Sequence, residues 1–508
     1  MSGAILSDTT RFPGTLDELL RRPFAVVALF CSGQLVFWTL ATSLTHFAPT
    51  RDMVESYLWG HEWVIGTYKH PNMPGWLLEA GRVLTGAVGW PAYLTSELFL
   101  IATYLLVYAL GAAMMGPARA LAGVLLLAGL FYTAWPSTLM NHDVAQMPIW
   151  VAVLLLLWHL RSKPTLAGWL AIGAVAALGL YAKLSFGVVI ASCGLWILYD
   201  PLLRRQLATL SPWLGLVLFA LCCLPLASWL NDSQFAALDY ARERGVSMGA
   251  SPLEFLGGQL LTSIGVIALA ALAGLIHRDD SSLAWQSLGR KLPKGEPVVL
   301  YLAHMLVIPN LMTTALAWLF VSGTRGMWGT PMLSLLGLLI VALVPARLDH
   351  ATSRRLTVIA AGVLVAMPLI YVTDTLLEPR LTGIPKRQGW PQVEMNRRFK
   401  SLWQQQTGQP LRIVAGNFWI AGLVALSPGQ MPSILTNGDT NLSPWITPER
   451  IQRQGVLVVW EMHTPADLPP DDLKLLFGEK PIHIERFDWP LFTGAPPLLI
   501  GYAIVAPG

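Results

Sequence analysis

The sequence predicts a polytopic α-helical membrane protein of about eleven spans that ends in a small extracytoplasmic α/β domain. Three observations predict it. Hydrophobic residues make up 54% of the 508 and charged residues only 13%, where a typical protein carries about 25% charged. Apolar runs of membrane-crossing length recur from residue 24 to residue 374. After about residue 375 charge and proline return and no such run remains.

The expected spans are 24–44, 95–114, 118–136, 144–160, 165–181, 184–200, 210–230, 258–276, 297–320, 329–346 and 356–374. A helix needs about twenty apolar residues to cross the hydrocarbon. The first run follows Arg21-Arg22, is too long for a signal-peptide core and lacks a small-residue cleavage site, so it reads as an uncleaved span. The pair at 165–200 is one long apolar stretch interrupted only by Tyr181-Ala182-Lys183. Lys and Arg in the short loops are denser on one side, which puts the N-terminus in the cytoplasm and the tail outside. Residues 1–374 then form the membrane domain, with outer-face loops 45–94, 137–143, 231–257 and 321–328. Residues 375–508 form the soluble domain, with strands expected at 411–415, 456–460, 481–485 and 498–502 and helices at 389–406, 417–426 and 447–453.

Net charge of +4 is too small to suggest nucleic acid. The four cysteines, Cys31, Cys193, Cys222 and Cys223, all sit in apolar runs and form no C-x-x-C pair, which reads as buried thiols. No phosphate loop, G-x-S-x-G elbow or H-E-x-x-H zinc helix is present, which argues against an ATP-driven pump or a hydrolase. No internal repeat supports an inverted-repeat transporter.

The first outer loop carries the densest chemistry. Asp52 and Glu55 are three apart, so a helix puts both carboxylates on one face. Tyr57, Trp59 and Tyr68 supply aromatic surface for an interfacial helix and a substrate cavity. A carboxylate at that depth is partly desolvated, a setting that makes it a better base. Asp143, at the outer edge of another span, adds a third acid. As an Asp at a helix start it also suits an N-cap. Carboxylates from two loops can activate an acceptor hydroxyl or amine, or hold a divalent metal between Asp52 and Asp143.

Cations accompany these acids. Pro71 and Pro74 stiffen a path that displays Lys69 and His70. Arg242, Arg244 and Arg325 add basic sites in later outer loops, with Trp328 close behind the last. Each suits a lipid-linked phosphate, the arginines through bidentate hydrogen bonds. Lys183, at a helix junction, reads as a topological marker.

The acidic first loop ending in Tyr57-Leu58-Trp59, the stretch KHPNMPGW at 69–76, Asp143 and the stretch LGLYAKLSFGVV at 178–189 together resemble the membrane glycosyltransferases of the GT-C fold. The resemblance is to the bacterial branch related to protein mannosyltransferases and the lipid A aminoarabinose transferase, and is clearest over residues 20–200. It implies inverting transfer of a sugar from a polyprenyl-phosphate donor to a cell-envelope lipid, glycan or protein on the outer face of the cytoplasmic membrane. It also implies that a first-loop carboxylate serves as general base and basic residues hold the lipid phosphate. The family often has adjacent Asp-Glu before the aromatic run; aligned on Trp59, Val54 stands at the Asp and Glu55 at the Glu. Asp52 is favoured as base for its place beside Arg51, with Glu55 open. Asn72 stands where the family commonly has a second proline. The alternative is a transporter or flippase of a lipid-linked anionic substrate, which would place its ionisable groups near the membrane midplane.

Overall fold

The computed structural model describes residues 15–248, 251–276, 297–320, 323–344, 348–492 and 494–508. Among these, seven helices are long and apolar enough to cross a membrane by length and composition: Pro23–Thr45, Trp90–Met115, His142–Ser162, Leu210–Asp232, Pro252–Leu272, Val298–Leu319 and His350–Thr382. An eighth crossing exists if Pro117–Gly129 and Phe131–Thr138, bent by 88°, are taken together.

The expected count of eleven therefore differs from the helices. Hydropathy registers an apolar run without registering the path of its backbone. In the run 118–136 the chain turns extended at Leu130 and continues as short 3-10 turns around Pro136. Leu166–Ala182 and Leu184–Tyr199 are shorter than a spanning helix, being separated by the extended backbone of Lys183. In the run 329–346 only Leu336–Leu343 is α-helical. The last long helix continues to Thr382, beyond the expected boundary after residue 374.

Two helices outside these spans build the first loop. Arg51–His61 and Met73–Thr85 cross at Gly60 and Gly75. A Cβ on Gly60 would lie 2.0 Å from the Gly75 carbonyl oxygen, so only glycine permits this approach. Asn72, fully buried, donates from Nδ2 to the carbonyls of Trp59 and Val64, both at 2.9 Å. Its backbone N–H donates to Ile65 at 2.9 Å. The residue read as a replaced proline thus ties the two helices together.

The tail carries a five-stranded sheet. Its strands are β1 (Ile413–Gly416), β2 (Ser433–Thr436), β3 (Val456–Met462), β4 (His483–Phe487) and β5 (Leu498–Val505), in the order β2-β1-β3-β5-β4. β1 pairs parallel with β2 and β3, and β5 pairs antiparallel with β3 and β4. β2 and the helix Asp471–Phe477 were not foreseen. The helix Phe418–Ala425 leaves β1 and lies against Arg51–His61: at Gly422 a Cβ would meet Val54 Cγ1 at 2.4 Å. A buried arginine joins the same two regions. Arg82 holds Glu79 through Nε (2.8 Å) and Nη2 (2.7 Å), while its Nη1 donates to the carbonyls of Ser427, Pro428 and Gly429.

Candidate active site

The close-packed first-loop helices present Asp52 and Glu55 to a cavity of about 570 Å³. Stretches distant in sequence converge on it: Arg51 to Glu55, Lys69 and His70, Asn141 to Asp143, Lys183 to Ser185, Ala237 to Ala241, Arg325 to Trp328, and Phe418.

The three acids are placed differently. Glu55 is buried, and Lys69 Nζ donates to its Oε1 at 2.6 Å. Burial pushes the Glu55 carboxyl above the usual carboxylate range, while the Lys69 charge and hydrogen bond oppose that rise. Asp143 is buried and receives a 2.7 Å hydrogen bond from Lys183 Nζ. Asp52 is exposed in the first turn of its helix, and no described residue forms an ion pair or hydrogen bond with its carboxylate. It is the unengaged carboxylate of the cavity.

The N-cap expected of Asp143 belongs to Asn141, whose side chain accepts from the backbone N–H of Asp143 and Val144. This leaves the Asp143 side chain available to Lys183. Lys183 is therefore part of the cavity wall and more than a topological marker. It is the lone charged residue between Lys163 and Asp200. Such isolation in an apolar stretch is a functional signal, but the sequence does not supply its partner.

The aromatic and basic residues divide. His70 and His142 rings lie 4.4 Å apart, and His142 Nε2 is 3.1 Å from the Pro71 carbonyl. Burial, with the surrounding charges of His142, Lys183 and Lys69, holds His70 well below the usual imidazole range. His70 is thus a neutral hydrogen-bonding group and no cation. Arg325 and Trp328 line the cavity, with the Trp328 ring 5.9 Å from Lys183 Nζ. Trp59 and Tyr68, expected in the substrate cavity, do not line it; their ring centroids lie 5.8 and 6.0 Å from Lys69 Nζ. Tyr57 is buried in the apolar core and does not line the cavity. Arg242 is exposed on the helix Ala236–Met248 and also does not line it. The side chain of Arg244 lies outside the described residues. Tyr240, His142 and Phe418 line the cavity without having been singled out.

Among the described residues no group of three or more His, Cys, Asp or Glu side chains is placed to hold a metal ion. Asp143 is charge-paired with Lys183, and Asp52 shares the cavity with it.

Comparison with known proteins gives a consistent assignment. Residues 69–229 match the family described as dolichyl-phosphate-mannose-protein mannosyltransferase. The lipopolysaccharide core galacturonosyltransferase RgtA of Rhizobium johnstonii is 24% identical over 418 residues, covering 80% of this chain and 81% of RgtA. The crystal structure of ArnT from Cupriavidus metallidurans bound to undecaprenyl phosphate matches with a TM-score of 0.61 at 14% identity, over 94% of this chain and 97% of that one. This chain has the fold of a GT-C membrane glycosyltransferase. The apo form of the same ArnT matches this GT-C chain with a TM-score of 0.58 at 13% identity. The likeness extends over membrane helices and tail alike, so the GT-C fold here includes the sheet-bearing C-terminal region.

Proposed function

We propose that this protein transfers a sugar from a polyprenyl-phosphate-linked donor to a cell-envelope lipid, glycan or protein, with inversion, at the outer face of a bacterial cytoplasmic membrane. The observation that carries the reading is the unengaged carboxylate of Asp52 in a cavity also lined by Lys69 and Arg325. RgtA, by its name, acts on the lipopolysaccharide core, and ArnT binds undecaprenyl phosphate; both support an envelope acceptor and a lipid-phosphate carrier. The Lys and Arg asymmetry of the short loops supports a cytoplasmic N-terminus and an extracytoplasmic tail.

In this mechanism Asp52 takes the proton of the acceptor hydroxyl or amine as the acceptor atom bonds to C1 of the sugar. The C1–oxygen bond to phosphate breaks at the same time, and its electron pair leaves with the polyprenyl monophosphate. Lys69 and Arg325 stabilise the charge that gathers on the phosphate. Glu55 takes one N–H of the Lys69 ammonium and leaves two for the phosphate. His70 adds a neutral hydrogen bond. Attack opposite the leaving phosphate inverts C1.

The test is transfer of radiolabelled sugar from a panel of polyprenyl-phosphate donors by purified protein. Asp52→Asn should lower kcat by roughly 10²–10⁴-fold with the fold intact. Glu55→Gln should act mainly on the KM for donor. Collapse in Glu55→Gln with Asp52→Asn active would move the base to Glu55. Wild-type protein that binds the donors tightly and transfers nothing would replace this reading with a lipid-linked-substrate transporter.

A further inference from the structure

The Lys69 ammonium sits in a box of aromatic rings. Its Nζ lies 5.2 Å from the ring centroid of Tyr240, 5.4 Å from Phe418, 5.8 Å from Trp59 and 6.0 Å from Tyr68. The Glu55 carboxylate at 2.6 Å is its charged neighbour. A cation within about 6 Å of a ring centroid is drawn to the ring face by its quadrupole, more strongly as water is excluded. Lysine is otherwise a point charge on a four-carbon stem with many rotamers. The rings remove that freedom while leaving ammonium N–H groups unused.

Trp59, Tyr68 and Tyr240 belong to outer-loop stretches, but Phe418 comes from the far end of the chain. It is the first residue of the helix Phe418–Ala425, whose start is fixed by Asn417 accepting from the Trp419 backbone N–H at 3.0 Å. The contact of Gly422 with Val54 presses that helix onto the Asp52 and Glu55 helix. The same ring lies 4.9 Å from the Arg51 guanidinium carbon. Every other residue lining the cavity falls between 51 and 328.

We propose that Phe418 is a positioning residue, by which the C-terminal region fixes the Lys69 ammonium for the substrate phosphate and completes the site. The tail is then a wall of the reaction cavity and not a separable recognition module. This rests on the reading of Lys69 as a donor-phosphate contact, but its geometry can be tested without turnover.

The experiment uses full-length protein carrying Phe418→Leu, which keeps apolar bulk and loses the quadrupole, or Phe418→Tyr, which keeps the ring. Reductive methylation of Lys69, followed by peptide mass spectrometry, reads the box with no substrate present. Donor KM and kcat are measured alongside. In Phe418→Leu, Lys69 should label several-fold faster and donor KM should rise roughly ten-fold, with kcat within about two-fold. Phe418→Tyr should match wild type in all three. Equal labelling and equal KM in the two variants would overturn the proposal. If Phe418→Leu fails to fold, fluorinated phenylalanines at 418 keep the ring shape while weakening the quadrupole. Labelling and KM should then rise stepwise with fluorination, and a flat series overturns the proposal. Labelling that behaves as expected in a protein that transfers no sugar would retain the positioning role and reject the transferase reading.

Discussion

Lys183 Nζ lies 2.7 Å from Asp143 Oδ1, with side chains only 10% and 6% exposed. The lysine sits in extended backbone between two short apolar helices, and the aspartate is in the first turn of a long one. The ion pair therefore holds three helices at one corner of the cavity. A pair this buried costs more to break on one side than to remove whole, because a single deletion strands a desolvated charge.

Lys183→Met should accordingly destabilise the protein by about 3 kcal/mol, and the double variant Lys183→Met with Asp143→Asn should recover most of that loss. Unfolding in detergent of Lys183→Met, Asp143→Asn and the double variant checks it. Additive losses would show that the two residues act independently.

The pair Glu79 and Arg82 predicts an acid limb. Burial raises the Glu79 pKa, but hydrogen bonds from Arg82 and His61 and their charges outweigh it and hold the carboxyl down at about 2, against an ordinary 4.5. Between those two values the unfolded chain binds the extra proton and the folded chain does not, so stability falls as pH drops. The contribution is present above about pH 4.5 and lost on the way to 2. Thermal midpoints of wild type should decline across that window, and those of Glu79→Gln should decline less.

Arg82 also secures the tail. Lysine cannot match its bidentate grip on Glu79 together with three carbonyls at 427–429. Arg82→Lys should cost about 2–3 kcal/mol and open the segment around Ser427–Gly429 to limited proteolysis. A cleavage pattern identical to wild type would contradict the latch.

Asn72→Pro offers the reverse of conservative reasoning. Proline would suit the resemblance, yet here it removes two side-chain hydrogen bonds and the backbone N–H to Ile65. The φ of −108° also lies outside proline's range of about −65 ± 15°. A loss of about 2–4 kcal/mol is expected. A thermal midpoint equal to wild type would refute the structural role assigned to Asn72.

The first loop was legible because ionisable groups between apolar runs are costly and need a reason. Asp52, Glu55, Lys69, His70, Asp143 and Arg325 all line one cavity. Pairings were less legible. Glu55 with Lys69 is a relation between a helix and a loop, and Asp143 with Lys183 depends on which helices pack together. Phe418 was invisible because a phenylalanine in an apolar helix is ordinarily core, and only the fold of the tail brings it to Lys69. Tyr57 was misplaced for a related reason: its ring packs into the apolar core on the far side of its helix from the cavity-lining Asp52 and Glu55 carboxylates, and sequence does not show which rings of an aromatic run do so. The expected spans and the long helices diverge where Leu130 and Lys183 adopt extended backbone inside apolar sequence, since hydropathy does not encode that turn.

The contact of Gly422 with Val54 has a consequence for biosynthesis. The helix Arg51–His61, which bears Asp52, is made long before the helix Phe418–Ala425 that covers it. At ~5–20 residues per second the interval is on the order of twenty seconds to a minute. Through most of it the nascent chain has its acids and Lys69 but lacks the Phe418 wall. A ribosome that stops before residue 418 releases a chain whose helices can enter the bilayer but whose cavity stays open. The order of synthesis thus delays the finished cavity until the chain has been made through Phe418 and Gly422.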